Sequence, residues 1–313
     1  DLPRRFAGNY VEGRVCREAI NQCCICCYNY NVSIAPKLKN SVISLASFKQ
    51  IFAIARLRIV SALFSKIPIL KNRLTLFTCV VCGRMSRAGV PGRESMQCDR
   101  CGATWRARAM VLGVLQSLGH SNTTLSDVQE DWSIRGLGTS DDIKIAKKLG
   151  NKFDYVNTYY HKGPKLDLTD VDPQWRETAR FIICSDVLEH IPPPTNIALE
   201  GLYSLVAPGG AAIVSIPYGN AETSNEFYPN LDRYEIQDNQ VVWHDTMGQR
   251  HVDTNPEFHG GAGQTLSFRV WSLSRFEEAL LSVGFSRIDR VVLNASLGVP
   301  PIPSCDAILI ARK

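Results

Sequence analysis

The sequence lacks the features that would assign it to several specialised classes of protein. No uncharged apolar run approaches the roughly 20 residues that a membrane-spanning helix needs. With 22 Gly, 16 Pro, 45% apolar and 21% charged residues among 313, the composition is near the globular average. Collagen-like, coiled-coil and largely disordered chains are therefore excluded, and the length favours two domains as a first expectation.

Evenly spaced cysteines, which are typical of secreted domains held by disulfides, are also lacking. Of the 11 Cys, five precede residue 30, four form two C-x-x-C pairs and two stand alone in apolar runs. No secretory signal pattern opens the sequence, so we expect a reducing, cytoplasmic compartment. The cluster at 23–27 has no histidine nearby, which leaves free thiols or lipidated cysteines as its interpretations.

The excess of positive charge is confined to the first quarter of the chain. Residues 1–77 carry twelve Lys or Arg and three acids. Their net charge of +9, against +5 for the whole chain, leaves −4 for the remainder. We predict a partly disordered basic arm over 1–77 with a helix near 47–71. That helix packs on the rest of the protein or makes peripheral contact with an anionic membrane surface.

Two short motifs predict a metal site. The pairs Cys79/Cys82 and Cys98/Cys101 are separated by fifteen residues, and a glycine follows each pair. Four thiolates at this spacing suit tetrahedral Zn²⁺, and such a closed shell is structural because it leaves no open coordination position. The sequence therefore predicts a zinc ribbon with a linking helix over 78–120.

Arginines surround these cysteines and suggest an anionic partner. There are six of them: Arg84, Arg87, Arg93, Arg100, Arg106 and Arg108. Such side chains could bind RNA phosphate. Trp105 is the one aromatic residue nearby, which does not support a base-stacking platform.

From Trp132 onward the pattern changes to alternating strands and helices. We predict strands near 134–138, 153–158, 181–185, 211–217, 286–293 and 306–311. Helices are expected over 141–149, 195–206 and 274–283, the last opened by a Ser274-x-x-Glu277 capping box. This alternation predicts a doubly wound α/β sheet that binds ligands at the carboxyl ends of its strands.

Four segments of this region carry a family resemblance. They are Gly136-Leu137-Gly138, Leu166-Asp167-Leu168, the run from Cys184 to His190, and 205–217 with its Pro-Gly-Gly. In these motifs, residues 132–313 resemble the class I S-adenosylmethionine-dependent methyltransferases. With the predicted Cys₄ zinc ribbon before them, they resemble the type 11-like members of that class. The resemblance implies a Rossmann-like, mostly parallel sheet of seven strands and S-adenosylmethionine as cofactor.

The resemblance also implies which residues bind that cofactor. Gly136 and Gly138 would let the backbone approach its methionyl part, Asp167 would accept from the adenine amino group, and Leu168 would pack on the ring. An exposed turn before Thr169 is the alternative for Asp167. The other implied cofactor residues are Thr139, Ser140, Asn157, Ser185, Asp186 and Leu188.

The sequence departs from the family pattern at three positions. Ile134 stands where the family has an acid, Ser140 replaces the third glycine, and Asn157 or Thr158 replaces the acid that holds the ribose hydroxyls. These departures keep a non-catalytic, methyltransferase-like binding module open as an alternative.

Three residues are candidate catalytic bases. Glu189 and His190 follow the strand at 181–185, and either could remove a proton or merely fix the loop. The insertion 218–271 is too long for an ordinary connection and predicts a cap over the substrate, with a hairpin at 240–253. His259 in this insertion is a candidate base or a loop-stabilising residue.

The function that these motifs favour is methyl transfer to an oxygen of a small-molecule or glycan acceptor. An RNA methyltransferase that uses the zinc ribbon to bind its substrate is the first alternative. The net negative charge of the body does not favour a nucleic-acid partner.

Overall fold

The computed structural model describes residues 75–88, 92–219, 222–259, 264–302 and 307–313. The predicted basic arm with its helix near 47–71, the cysteine cluster at 23–27 and Cys305 lie outside these residues. Among the described residues, no helix has both the length and the apolar character needed to cross a membrane.

The described chain contains four α-helices and sixteen strands. The helices are α1 (Trp105–Ser117), α2 (Ile143–Gly150), α3 (Thr195–Leu205) and α4 (Leu273–Ser282). The strands are β1 (Thr75–Thr78), β2 (Met85–Ala88), β3 (Asp131–Thr139), β4 (Phe153–Thr158), β5 (Ala179–Ser185), β6 (Val206–Ser215), β7 (Tyr218–Gly219), β8 (Asn225–Glu226), β9 (Leu231–Gln237), β10 (Gln240–Asp245), β11 (Arg250–Asp253), β12 (Phe258–His259), β13 (Thr265–Leu266), β14 (Arg269–Ser272), β15 (Arg287–Arg290) and β16 (Leu309–Arg312). Short 3₁₀ turns lie at Pro173–Trp175, Leu188–His190 and Ala295–Leu297.

The central sheet has the strand order β15-β16-β6-β5-β3-β4. Strands β4, β3, β5 and β6 are parallel, and β16 runs antiparallel to both β6 and β15. The predicted α/β class is confirmed, but the described residues form six strands in this sheet and not the expected seven. Between β4 and β5 only a single bridge, Tyr159 to Lys165, extends the pairing. Prolines and aspartates interrupt this connection (161–175), and such residues oppose strand formation.

Residues of the inner strands alternate between two apolar cores. Phe181 and Ile183 of β5 belong to the core under α1 and α2, whereas Ile182 and Cys184 belong to the core under α3 and α4. Because strand side chains alternate in direction, a continuous apolar strand can bury both faces. The sheet is therefore covered on both sides, as the pattern of apolar strands predicts.

Helix α1 joins the two C-x-x-C turns, Cys79–Cys82 and Cys98–Cys101, to the sheet. These turns are called the cysteine knuckles. Thr104 caps its start by accepting a hydrogen bond from the Ala107 amide at 3.2 Å. A side chain at Gly113 would come within 2.8 Å of Ile213 Cγ2, so this glycine allows the helix to approach β6 closely. The knuckles, α1 and one face of the sheet therefore share one apolar core.

The chain between β6 and α4 forms three small sheets beside the main one. Their orders are β7-β14-β8, β11-β10-β9 and β12-β13. The predicted hairpin is confirmed, with Val241 opposite Asp253 and His244 opposite Arg250. A separate apolar core supports this region, formed by Tyr228, Val241, Trp243, Leu266 and Phe268.

The predicted capping box at the start of α4 is wrong. The helix begins at Leu273 after Ser272, whose side chain makes no capping hydrogen bond. Glu277 instead pairs with Arg290 at 2.9 Å, so its carboxylate is directed to β15 and not to the helix start.

Candidate active site

The four knuckle cysteines converge on one point. The Sγ atoms of Cys79 and Cys101 lie 3.7 Å apart and those of Cys82 and Cys98 3.9 Å apart, and all four lie within 4.8 Å of one another. A zinc ion with four thiolates at about 2.3 Å requires S···S separations of about 3.8 Å. The cluster therefore has the dimensions needed to hold Zn²⁺.

The two knuckles have the same backbone geometry. Gly83 and Gly102 have φ angles of 68° and 75°, a left-handed conformation that glycine adopts without strain. Their amides donate to the carbonyls of Cys79 and Cys98, each at 2.8 Å. The glycine after each C-x-x-C pair thus closes the turn that brings its two thiolates together.

A cavity of about 210 Å³, with both polar and apolar lining residues, lies at the carboxyl ends of β3 and β5. It is lined by Ser140 and Asp141 after β3, by Ser185 at the end of β5 and by Arg106 of α1. Since β4 and β5 lie on opposite sides of β3, the strand order reverses at this point. Parallel α/β sheets bind their ligands at such a switch point.

The end of β5 carries an ion-pair network supplied by α1 and by the segment that contains the four clustered cysteines. Arg93 donates two hydrogen bonds to Asp186, at 2.5 and 2.7 Å, and Arg106 donates to Ser185 Oγ at 2.7 Å. Burial alone would raise the pKa of Asp186, but Arg93 and then Arg106 overcome this effect and lower the pKa to about 2. Asp186 is therefore an ionised carboxylate whose charge is already compensated by two guanidinium groups.

The loop after β3 is fixed by its own side chains. Asn157 accepts from the Asp141 amide at 3.0 Å and donates to the Asp141 carbonyl at 2.9 Å. Tyr155 donates to the Asp141 carboxylate. Burial raises the pKa of Asp141 to about 7, although the bond from Tyr155 opposes this shift. The side chain of Asn157 thus stabilises the loop, while the Asp141 carboxylate lines the cavity.

Both strand ends that border the cavity have an unusual backbone conformation. Ser140 and Asp186 have φ angles of 67° and 53°, a left-handed conformation that costs non-glycine residues energy and that often occurs at functional sites. Ser140 occupies the position of the family's third glycine and keeps a glycine-like backbone there.

The three candidate bases lie together. His259 Nδ1 is 3.0 Å from His190 Nε2, and Glu189 Oε1 is 3.6 Å from that Nε2 and 3.7 Å from the Nδ1. Burial, with the nearby charge of Asp186, raises the pKa of Glu189 to about 8. Burial lowers the pKa of both histidines, and His190 lowers that of His259 further. The cluster therefore favours neutral imidazoles near neutral pH.

The structure brings only some of the cofactor candidates to the cavity. Ser140 and Ser185 line it. Leu188 lies in the apolar core, and Thr139 is buried with its hydroxyl on the Ile183 carbonyl. Asp167 Oδ1 accepts from the amide and hydroxyl of Thr169, which is the turn geometry that the sequence left as its alternative.

Packing accounts for three other candidates. A side chain at Gly136 would meet the Tyr155 ring at 2.7 Å and the Phe181 ring, so this glycine makes room for two stacked aromatic residues. A side chain at Gly138 would meet Asp141, Tyr155 and Asn157. Leu168 is buried. Gly201 of α3 has no side chain, so the helix can lie close to the carbonyl of Leu168.

The sequence did not predict that three of the arginines contact groups inside the protein, or that Asp141 lines the cavity. Arg93 and Arg106 are committed to Asp186 and Ser185, and Arg108 is buried, donating to the Gly298 carbonyl at 2.7 Å. The arginine-rich composition of the ribbon is the available signal, but on its own it indicates an exposed anion-binding surface. Arg84, Arg87 and Arg100 are exposed.

No protein-family model matches the chain, and neither does any curated protein. Solved structures do match it. They include a 1,6-didemethyltoxoflavin-N1-methyltransferase from Burkholderia thailandensis, with 11% identity over 88% of this chain and 93% of that chain and a TM-score of 0.35.

Two further matches are an S-adenosylmethionine-dependent methyltransferase from Clostridium acetobutylicum and the glycopeptide N-methyltransferase MtfA in complex with S-adenosylmethionine. The first has 10% identity over 66% of this chain and 91% of that chain, with a TM-score of 0.39. The second has 11% identity over 65% and 93%, with a TM-score of 0.35. Likeness at this level assigns no family or function, which must be argued from the residues of this chain.

Proposed function

We propose that the protein is an S-adenosylmethionine-dependent methyltransferase that acts on an oxygen of a small-molecule or glycan acceptor. The observation that carries this proposal is the cavity at the strand-order switch between β3 and β5. It lies beyond the end of β3, the strand that contains Gly136-Leu137-Gly138, and next to Asp186, which begins the run to the candidate bases Glu189 and His190. The position of the cavity and the adjacent titratable groups together support group transfer more than a purely structural role.

The residues around the cavity fit the amino-acid end of this cofactor. Lys144 could bind its carboxylate, and Asp141 could accept from its ammonium group, since both line the cavity. Arg106 also lines the cavity, but it already donates to Ser185 and Glu94. At about 210 Å³, the cavity is smaller than the roughly 300–1,000 Å³ of typical ligand pockets. The nucleoside end would therefore extend beyond it, toward the loop at Asp167.

The bound cofactor supplies a sulfonium methyl group to the acceptor. This methyl group would exchange its bond to sulfur for a bond to the acceptor oxygen, the electron pair would stay on sulfur, and the chain would have to take up the hydroxyl proton. The chain must align the two reactants and exclude water from them. His190 and His259 could accept the proton, because burial lowers the pKa of both and favours the neutral imidazoles.

We also propose that the knuckle cysteines hold a structural Zn²⁺. The closed shell of Cys79, Cys82, Cys98 and Cys101 leaves no position for a substrate. The ion would fix the segment that carries Arg93 and Arg106 to the end of β5. Cys101 itself lines the cavity, so the ion would also shape the cavity wall directly.

A non-catalytic binding module is the second candidate, and two specific contacts favour it. Asn157, at the position of the ribose-binding acid, is committed to the backbone of Asp141, and Asp186 is compensated by Arg93 and Arg106. An RNA methyltransferase has less support, because only three of the six ribbon arginines are exposed.

Transfer of a tritiated methyl group from S-adenosylmethionine would test the proposal. Three zinc-loaded proteins are compared: the unmodified protein, Glu189→Gln, and the control Glu200→Gln, whose site is exposed on α3. Each protein is incubated with small-molecule, glycan and RNA fractions. The proposal expects label in the small-molecule or glycan fraction, lost in Glu189→Gln and kept in the control. Label in RNA alone would support the RNA alternative, and no label in any fraction would support the binding module.

A further inference from the structure

Glu189 is a buried carboxylate that lacks a hydrogen-bond donor. Its side chain is 0% exposed, and neither of its carboxylate oxygens has a hydrogen-bond partner among the described residues. Buried polar groups are normally paired, because leaving one unpaired costs the desolvation of that group. Two imidazole nitrogens lie close to Glu189 Oε1, His190 Nε2 at 3.6 Å and His259 Nδ1 at 3.7 Å.

A hydrogen bond to a backbone carbonyl fixes the orientation of the His190 ring. Its Nδ1 lies 2.8 Å from the Leu266 carbonyl oxygen, which can only accept, so Nδ1 carries the hydrogen. Nε2 therefore carries a lone pair, and it accepts a hydrogen bond from His259 Nδ1 at 3.0 Å. Binding of an ion would require that hydrogen to move to the other ring nitrogen of His259, after which both facing nitrogens offer a lone pair. A histidine held by a carbonyl on one nitrogen, with a lone pair on the other, is the usual arrangement of a metal-ligating imidazole.

The three ligand atoms have the spacing of a coordination triangle. Its sides are 3.0 Å between the two imidazole nitrogens, and 3.6 and 3.7 Å from these to Glu189 Oε1. A point equidistant from all three atoms lies about 2.0 Å from each, which matches Zn–N distances of about 2.0–2.1 Å and Zn–O distances of about 2.0–2.2 Å. An ion could thus bind all three without movement of the backbone.

We propose that Glu189, His190 and His259 form a second metal site, which binds one divalent transition-metal cation. Two neutral imidazoles and one carboxylate suit Zn²⁺, Co²⁺, Fe²⁺ or Mn²⁺, whereas Ca²⁺ and Mg²⁺ prefer oxygen ligands alone. Three protein ligands leave further positions open, unlike the four thiolates of the knuckles. The site stands on side-chain geometry alone and does not depend on the proposed methyl transfer.

The surroundings of the cluster give the cation both access and charge balance. The side chains of His190 and His259 are 16% and 33% exposed, so the ion can enter from solvent while Glu189 forms the buried base. Arg93 and Arg106 would oppose a cation, but Asp186 pairs with both. With the ion bound, the two imidazoles could no longer accept a proton. If the proposed function holds, an open position on the ion would instead bind the acceptor oxygen and lower the pKa of its hydroxyl.

The site can be tested by equilibrium dialysis of the full chain against Zn²⁺ followed by elemental analysis. The proposal expects Glu189→Gln, His190→Gln and His259→Gln each to bind one equivalent fewer than the unmodified protein. His251→Gln is the matched control, since this histidine pairs with Asp245 at 3.1 Å outside the cluster, and it should keep every equivalent. Equal zinc content in the unmodified protein and the three variants would overturn the proposal.

A second measurement needs no variant. Protein with Zn²⁺ already in the knuckles is titrated with Co²⁺ and its visible spectrum recorded. Saturable d–d bands without thiolate charge-transfer bands are expected from nitrogen and oxygen ligands, and no saturable band would overturn the site. S-adenosylmethionine binding, measured by calorimetry on the same samples, distinguishes failure of this site from failure of the proposed function.

Discussion

The ion pair between the ribbon segment and the end of β5 should make a measurable contribution to stability. Arg93 and Asp186 are joined by two short hydrogen bonds, and their side chains are only 21% and 17% exposed. The fall in the pKa of Asp186 from 3.8 to about 2 corresponds to a stabilisation on the order of 2 kcal/mol. Arg106 remains at 3.4 Å as a second partner. We therefore expect Arg93→Ala to lower the free energy of unfolding by about 2 kcal/mol.

The assay is urea denaturation at neutral pH, with a double-mutant cycle that adds Asp186→Asn. Arg100→Ala is the control, because Arg100 is 58% exposed and approaches Asp99 at 3.7 Å, and it should change stability by less than about 0.5 kcal/mol. A coupling energy near zero between positions 93 and 186 would refute the reasoning.

The same pair predicts a dependence on pH. A carboxyl whose pKa is lower in the folded state stabilises the protein above its unfolded value and loses this contribution as the pH falls. The stability that Asp186 contributes should therefore decrease as the pH falls from about 4 to about 2. In Arg93→Ala that decrease should be smaller, which the same titration measures.

Three other substitutions test separate parts of the structure. Cys82→Ser should remove one zinc equivalent and destabilise the ribbon, as elemental analysis and thermal unfolding would show; retention of all bound zinc would contradict a Cys₄ site. Gly136→Ala should cost about 1–3 kcal/mol of stability by overpacking against Phe181, whereas Gly150→Ala at the end of α2, with no atom closer than 4.0 Å, should cost little. Burial raises the pKa of Asp141 and favours its neutral form, so the unmodified protein should lose stability as the pH rises from about 4 to about 7. Asp141→Asn should abolish this loss, and an unchanged pH profile of stability in the variant would contradict the reasoning.

Local patterns predicted the parts of the fold that depend on neighbouring residues. The bounds of β4 at 153–158, the β10–β11 hairpin and the two cysteine knuckles follow from apolar runs, turn residues and spacing. Strand β6 was predicted to start at Ala211, yet it begins at Val206 and contains the Pro-Gly-Gly turn. Its pairing with β5 shifts register between Ala179 and Phe181 to accommodate this turn, and such a shift is set by the partner strand.

Residues of the candidate site that depend on distant partners could not be predicted in this way. Arg93 and Asp186 are 93 positions apart, and nothing near either residue indicates that the ribbon segment reaches the end of β5. Asn157 was expected to contact the cofactor because of its place at the end of β4. Its bonds to Asp141 depend instead on how the two parallel strands align their ends.

Calorimetric titration of the zinc-loaded protein with S-adenosylmethionine tests the central claim most directly. We predict saturable binding of one equivalent, weakened at least tenfold by Lys144→Ala because this basic residue lines the cavity, and unchanged by Arg100→Ala. Absence of binding by the folded, zinc-loaded protein, or equal affinity in all three proteins, would contradict the proposed cofactor site.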